Sequence, residues 1–293
     1  VSYLSEIIQG HFREGDQFGA RLEYSLEAEP LGTGGAIKYA EKLFEQTFPV
    51  INGDILTDMD VGAVVAFHRE RQATATIAVT WVDDPTPYGV VETDAEGRVT
   101  AFIEKPRAED VTSHYINAGV YIFEPSLFDR MPVGRAFSVE RELFPQLLAE
   151  GIPVYACPTT GYWLDLGTPQ KYLQAHFDIL AGRMQVEMPG ANHDGVWLGT
   201  DASASSESWL AAPAVLGDGV TVAEKCVVGP NAVLGDGVTM DPSATVEASV
   251  VWAGTRIGAG ARVRGSIIGR DCVIEPNTVL EGQVIPDGQV ISS

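Results

Sequence analysis

An aliphatic residue recurs at every sixth position through the last third of the chain: Leu216, Val222, Val228, Leu234, Met240, Val246 and Trp252. The spacing shortens by one residue to Ile257 and Val263, and by one more to Ile268, Ile274 and Leu280. Side chains return to the same face about every 3.6 residues in a helix and every 2 in a strand, so neither sustains a period of six. A hexapeptide solenoid does: each unit is a short strand plus a turn, and three units close one triangular coil. The fourth position after each aliphatic residue is also small or apolar: Val220, Cys226, Ala232, Val238, Ala244, Val250, Ala261, Ile267 and Cys272. Both columns are expected to point inward and stack between coils. Gly217-Asp218-Gly219, Gly229-Pro230-Asn231 and Gly235-Asp236-Gly237 fall at corners, where the backbone turns sharply or takes positive φ. The pattern predicts a parallel β-helix over residues 208–293.

The remaining length, of 293 residues in all, leaves room for a second domain with its own core. A net charge of −21 argues against nucleic acid or an anionic membrane as partner. Any phosphate ligand therefore needs a few placed cations, or a divalent metal bridging it to carboxylates. Cys157, Cys226 and Cys272 are odd in number and widely spaced, which fits neither a disulfide framework nor a zinc cluster. Two of them lie in the inward columns, so buried thiols in a reducing cytoplasm are expected. No apolar run approaches membrane-spanning length.

Residues 1–183 alternate helical and extended patterns. Helices are expected over Ala36–Leu43, Val61–Arg71, Glu140–Leu148 and residues 171–183; strands over Phe48–Ile51, Ala75–Thr80 and Val120–Phe123. A hairpin pairs Gly89–Thr93 with Val99–Ile103. Such alternation predicts a mostly parallel, doubly wound α/β sheet. Residues 184–207, rich in Pro, Gly, Asn and Ser, are expected to be a linker.

In a doubly wound sheet, ligands bind at the carboxyl ends of strands. Asn52-Gly53-Asp54 directly follows the strand Phe48–Ile51, and Asp165, in Trp163-Leu164-Asp165-Leu166-Gly167-Thr168-Pro169, precedes the closing helix. Two carboxylates from separate loops suit a Mg²⁺ whose shell phosphates complete; taken alone, each Asp is more often a turn cap. Pro30-Leu31-Gly32-Thr33-Gly34-Gly35-Ala36 is a Gly-rich loop opening a helix, able to bring backbone N–H groups close to a phosphate or base edge. It lacks the Walker lysine and the dinucleotide fingerprint. Lys105, in Glu104-Lys105-Pro106, is a candidate phosphate ligand or a surface ion-pair partner. Asn117, in Ile116-Asn117-Ala118-Gly119, suits a sugar hydroxyl or a turn.

Taken in order, these segments, with Glu29 ahead of Pro30 and with Tyr88-Gly89-Val90-Val91, resemble the nucleoside-diphosphate-sugar pyrophosphorylases. The likeness is greatest to bacterial mannose-1-phosphate guanylyltransferases and glucose-1-phosphate nucleotidyltransferases, some of which also carry a left-handed hexapeptide β-helix. The resemblance implies a Rossmann-like nucleotidyltransferase domain joining an NTP to a hexose 1-phosphate, most closely GTP and mannose 1-phosphate, with Mg²⁺ as cofactor. It assigns Asp54 and Asp165 to the metal and Lys105 to the sugar phosphate. Gly89, Glu104 and Asn117 would hold sugar hydroxyls, and Glu27, Pro30 and Gly32 would line the base. It further implies a cytoplasmic homo-oligomer, assembled through the β-helix. The family's signature loop is absent; its place would be ahead of Val1, so the reading expects an N-terminally incomplete sheet and no turnover by this chain alone.

Two other readings compete. Hexapeptide solenoids also occur in acyltransferases, which resemblance ties to a solenoid histidine; His11, His68, His114, His176 and His193 all lie outside residues 208–293. A non-catalytic sugar-nucleotide-binding subunit is the second, and the retained Asp54, Lys105 and Asp165 weigh against it.

Overall fold

A computed structural model describes residue 1 and residues 3–292. It divides into two compact units, one of Val1–Gly53 and Met59–Thr160, the other of Asp54–Asp58 and Gly161–Ser293. In chain order, the elements ahead of the repeats are α1 (Ser5–Phe12), α2 (Gly32–Tyr39), β1 (Phe48–Ile51), β2 (Ile55–Thr57), α3 (Val61–Glu70), β3 (Ala75–Trp81), β4 (Gly89–Thr93), β5 (Val99–Glu104), β6 (Tyr115–Phe123), α4 (Phe144–Ala149), β7 (Val154–Pro158), β8 (Trp163–Asp165) and α5 (Pro169–Leu180).

The first unit is built on one sheet, ordered β5-β4-β6-β3-β7 with β1 also on β6. Six consecutive residues of β3, Ala75 to Thr80, are buried, as a strand covered on both faces requires. Tyr121, Phe123, Phe144 and Leu147 pack beside it. The α/β character and the β4–β5 hairpin agree with the sequence, but the strand directions differ from the expected mostly parallel pattern. Only β3 and β7 pair parallel; β6 runs against β1, β3 and β4. The chain leaves β3 into the hairpin and comes back as β6 without a crossover helix, and such a return is antiparallel. The expected helix at Glu140 opens with a π-type turn, Val139–Leu143, before α4.

In the second unit β2 pairs antiparallel with β8, setting Ile55 opposite Asp165. The repeats then form three parallel sheets of short strands. Ala214 pairs with Ala232, 18 residues on, whereas Val233 pairs with Val250, 17 on. The coil thus contains three hexads until one corner loses a residue. Two expectations are corrected here. From Val196 on, the segment read as a linker already belongs to the solenoid: Val196–Leu198 pairs in parallel with Ala214–Leu216, and Ser203–Ala204 with Thr221–Val222. The contraction also comes one repeat unit earlier than the aliphatic pattern suggested, between Val246 and Val251 instead of between Trp252 and Ile257. Val251, fully buried, pairs with Leu234, while Trp252 lies outside the core, stacked near-parallel on Tyr172 of α5 at 6.3 Å. In the second column Ser249 and Ser266 are fully buried, beside Val250, which is 4% exposed, and Ile267, which is partly exposed. Their hydroxyls donate to the carbonyls of Glu247 and Arg264 (2.7 and 2.8 Å), so polar groups are tolerated inside. Cys226 and Cys272 are buried free thiols, as expected.

Candidate active site

Three of the residues assigned to the sugar fall on one row of the sheet. Gly89 pairs with Glu104 across β4 and β5. Val90 pairs with Ile116, which sets Gly89 beside Asn117 on β6. Cross-strand partners share a face, and the middle partner has no side chain. A Cβ on Gly89 would come within 2.6 Å of Phe102 and 3.0 Å of the Glu104 carboxylate. The Phe102 ring and the Glu104 carboxylate close over the position that Gly89 leaves without a side chain, and Glu104 and Asn117 flank it on strands about 10 Å apart. Lys105 follows directly. It is exposed, and it takes φ +50 immediately before Pro106, where an extended conformation is preferred. Its N–H donates to the Tyr88 carbonyl (2.9 Å), which holds that strained backbone in place. Among the described residues its ammonium enters no ion pair, so the surface pairing with Glu104 does not form.

Asn117 is positioned by partners the sequence did not disclose. Opposite β3, between the pairs Ile77–Tyr121 and Val79–Asn117, β6 carries two extra residues. This bulge re-aims the strand where Asn117 and Gly119 sit. Gly119, at φ +72, accepts the Asn52 N–H at its carbonyl (2.8 Å) and leaves space that the Asn52 side chain fills. Its own N–H donates to Asn117 Oδ1 (2.9 Å), so the amide nitrogen turns the other way and donates to the Tyr121 hydroxyl (2.7 Å). That hydroxyl donates to Glu140 (3.1 Å), whose other oxygen accepts from Thr33 and Ser138, each at 2.8 Å. Burial first, then the Glu140 charge, pushes the Tyr121 phenol well above its ordinary range, so it remains a donor.

Thr33 belongs to the Gly-rich loop, and the loop's glycines serve packing. The N–H groups of Gly34 and Gly35 both donate to the Phe137 carbonyl, at 2.9 and 3.1 Å. A Cβ on Gly34 would meet the Phe137 ring at 2.6 Å. These two amides are thus committed inside the protein, a correction to the expectation that the loop's N–H groups approach a phosphate or base edge. Glu27 accepts the Leu31 N–H (3.0 Å) and so braces the start of the loop, next to Pro30 and Gly32.

The carboxylates assigned to metal lie in the second unit, joined through the backbone: Leu166 N–H donates to the Asp54 carbonyl at 2.8 Å. Asp54 is exposed at the entry to β2, whereas Asp165 is half-buried at the end of β8. Thr168 caps α5, accepting the Lys171 N–H (3.2 Å), and Pro169 occupies the first turn. Asp165 Oδ1 accepts from Gly167 N–H (3.0 Å), and Oδ2 from the Lys171 ammonium (2.7 Å). Further along, Asp178 of α5 accepts from the Tyr162 hydroxyl (2.8 Å), which anchors the helix to the segment leading into β8.

Residues 1–182 match the Nucleotidyl transferase family, and residues 210–291 match the GMPPB C-terminal domain. The chain belongs to the nucleotidyl transferase family. Within it, the likeness is to enzymes of the NDP-sugar pyrophosphorylase type. Mannose-1-phosphate guanylyltransferase of Mycobacterium tuberculosis is 37% identical over 259 residues, covering 88% of this chain and 67% of that protein. UTP–glucose-1-phosphate uridylyltransferase of Synechocystis is 34% identical over 280 residues, covering 88% and 72%. Among solved structures, HddC from Yersinia pseudotuberculosis complexed with GMP-PN matches with a TM-score of 0.52 and 30% identity, over 60% of this chain and 74% of that one. This nucleotidyltransferase has no group of three or more His, Cys, Asp and Glu side chains gathered for a metal among its described residues. The Asp54–Asp165 donor set is two hard carboxylates, which fits a divalent ion that takes its remaining oxygens from phosphates.

Proposed function

We propose that this nucleotidyltransferase makes GDP-mannose and pyrophosphate from GTP and mannose 1-phosphate. The observation that carries the reading is the row Glu104–Gly89–Asn117, followed by the strained, exposed Lys105. It offers an acceptor and an amide for ring hydroxyls and, at one end, a cation for the 1-phosphate. Similarity to the M. tuberculosis guanylyltransferase and the GMPPB C-terminal match support mannose and guanine.

In the reaction a phosphate oxygen of the sugar phosphate attacks the α-phosphorus of GTP, the bond from that phosphorus to the bridging oxygen breaks, and pyrophosphate leaves. The nucleophile is ionised at neutral pH, so no side chain has to remove a proton. The protein's work is positioning and charge neutralisation. Lys105 holds the attacking phosphate, Glu104 and Asn117 orient the ring, and the segment Glu27, Pro30 and Gly32 borders the base. Mg²⁺ on Asp54 and Asp165 would neutralise phosphate charge. We also propose a homo-oligomer assembled through the solenoid, where Trp209 and Val279 are exposed.

The Synechocystis relative favours a second reading, a glucose-1-phosphate nucleotidyltransferase using UTP. Calorimetric titration with mannose 1-phosphate and glucose 1-phosphate, and with GTP and UTP, separates the two. Tighter binding of mannose 1-phosphate and GTP is expected; a preference for glucose 1-phosphate and UTP would overturn the guanylyltransferase reading. Lys105→Ala should weaken sugar phosphate far more than GTP, by about ten- to a hundredfold for a lost charge-assisted contact.

A further inference from the structure

Lys171 stands where a helix does not favour a cation. It is the third residue of α5, the turn in which backbone N–H groups concentrate positive potential and acidic side chains are preferred. A lysine there is locally unfavourable, and this chain has only 19 Lys and Arg against 40 Asp and Glu. The side chain turns back from the helix to Asp165, placing Nζ 2.7 Å from Oδ2. The other oxygen of Asp165 already accepts the Gly167 N–H at 3.0 Å. Both partners remain about one-third exposed, at 30% and 29% of their side chains, so the pair is open to exchange with solvent and ions. The helix cap does not depend on the ammonium, because Thr168 accepts the Lys171 backbone N–H.

We propose that Lys171 is a displaceable counter-cation seated on the metal-binding carboxylate, so that a divalent ion reaches Asp165 only by moving the ammonium aside. The proposal rests on the reading of Asp54 and Asp165 as metal ligands. Its consequence is a raised threshold: the ammonium screens Asp165 when metal is scarce, and metal affinity is set by competition between the two cations. A ligand oxygen freed of a lysine should bind the ion more tightly, whereas a lysine that oriented Asp165 for the metal would have the opposite effect.

The test is direct Mn²⁺ binding, followed by electron paramagnetic resonance on the whole chain without substrate. Lys171→Met keeps the length of the stem and removes the charge. It should tighten Mn²⁺ binding by about two- to fivefold, the yield of a partly exposed ion pair removed from competition. Lys171→Gln should shift affinity in the same direction with an unchanged melting temperature, which separates the effect from misfolding. Unchanged or weaker Mn²⁺ binding in both variants would overturn the proposal. Asp165→Asn in the wild-type and Lys171→Met backgrounds distinguishes the underlying reading. Loss of Mn²⁺ binding in both backgrounds supports the site; retention of wild-type affinity by Asp165→Asn would reject the metal assignment itself, and the competition with it.

Discussion

Tyr121→Phe is the sharpest perturbation of the sugar side, because it removes one oxygen atom and leaves the ring packing. Tyr121 is 1% exposed, and its hydroxyl links Asn117 (2.7 Å) to Glu140 (3.1 Å). Deleting it breaks one neutral and one charge-assisted hydrogen bond, worth roughly 0.5–1.5 and 1.5–3 kcal/mol. Asn117 and Glu140 are only half-buried, so water recovers part of that sum. The expected loss of stability is about 1–3 kcal/mol, read as a lower denaturant midpoint. The functional effect is distinct. Without the hydroxyl the Asn117 amide keeps only the Gly119 bond, and sugar-phosphate binding must order it. An ordering cost of about 1 kcal/mol weakens mannose 1-phosphate roughly fivefold. Calorimetry on Tyr121→Phe, Asn117→Ala and the double variant gives the decisive comparison. If Tyr121 acts through Asn117, the double variant binds no worse than Asn117→Ala, whereas independent sites would give additive losses. Additive losses, or unaltered binding by Tyr121→Phe, would refute the positioning role.

Gly119→Ala should destabilise the first unit by about 1–3 kcal/mol, because the residue has φ +72 and an added Cβ would lie 3.0 Å from the Asn52 amide; thermal melts measure it. Acid should weaken the same unit through Glu124. Burial works to raise its pKa, but hydrogen bonds from Thr47 and His68 outweigh that and lower it below 4.5. A depressed folded pKa gives stability that is present above the unfolded value and lost as pH falls through the folded one. Glu124→Gln should therefore flatten the decline in denaturant midpoint below about pH 4.5; an unchanged acid profile would show that the carboxylate is not the source.

The sequence disclosed the residue types of the site better than the partners that hold them. Gly89, Glu104 and Asn117 are separated along the chain, yet they belong to a hairpin and a strand whose alternation was visible, so their common row follows from pairing. The Tyr121–Glu140–Thr33 chain was not legible, because each member is unremarkable alone and only tertiary packing brings residues 107 positions apart into contact. Strand direction was hidden for a similar reason: periodicity reports burial and carries no sense of direction. Lys171 did leave a trace, a cation three residues after a Thr-Pro helix start.

The solenoid was legible almost throughout, and where the reading slipped the cause was weighting hydrophobicity over register. Stepping back in sixes from Leu216 lands on Leu210, Ala204 and Leu198, so the repeat was continuous into the segment taken as a linker. At the contraction, Trp252 is the more apolar choice by size, but an indole is too bulky for a column filled by Val, Leu, Met and Ile. The coil instead closes one residue early on Val251, leaving Trp252 to stack on Tyr172 and, at 4.6 Å, beneath the Arg270 guanidinium. Paired substitutions discriminate the two registers. Val251→Asp buries a carboxylate without a partner among stacked aliphatic side chains, costing roughly 4 kcal/mol or more. Trp252→Asp loses aromatic and cation–π contacts worth about 1–2 kcal/mol and leaves its carboxylate beside Arg270. Denaturant melts of the two variants should rank Val251→Asp well below Trp252→Asp; the reverse order would place the indole inside and the contraction one repeat unit later.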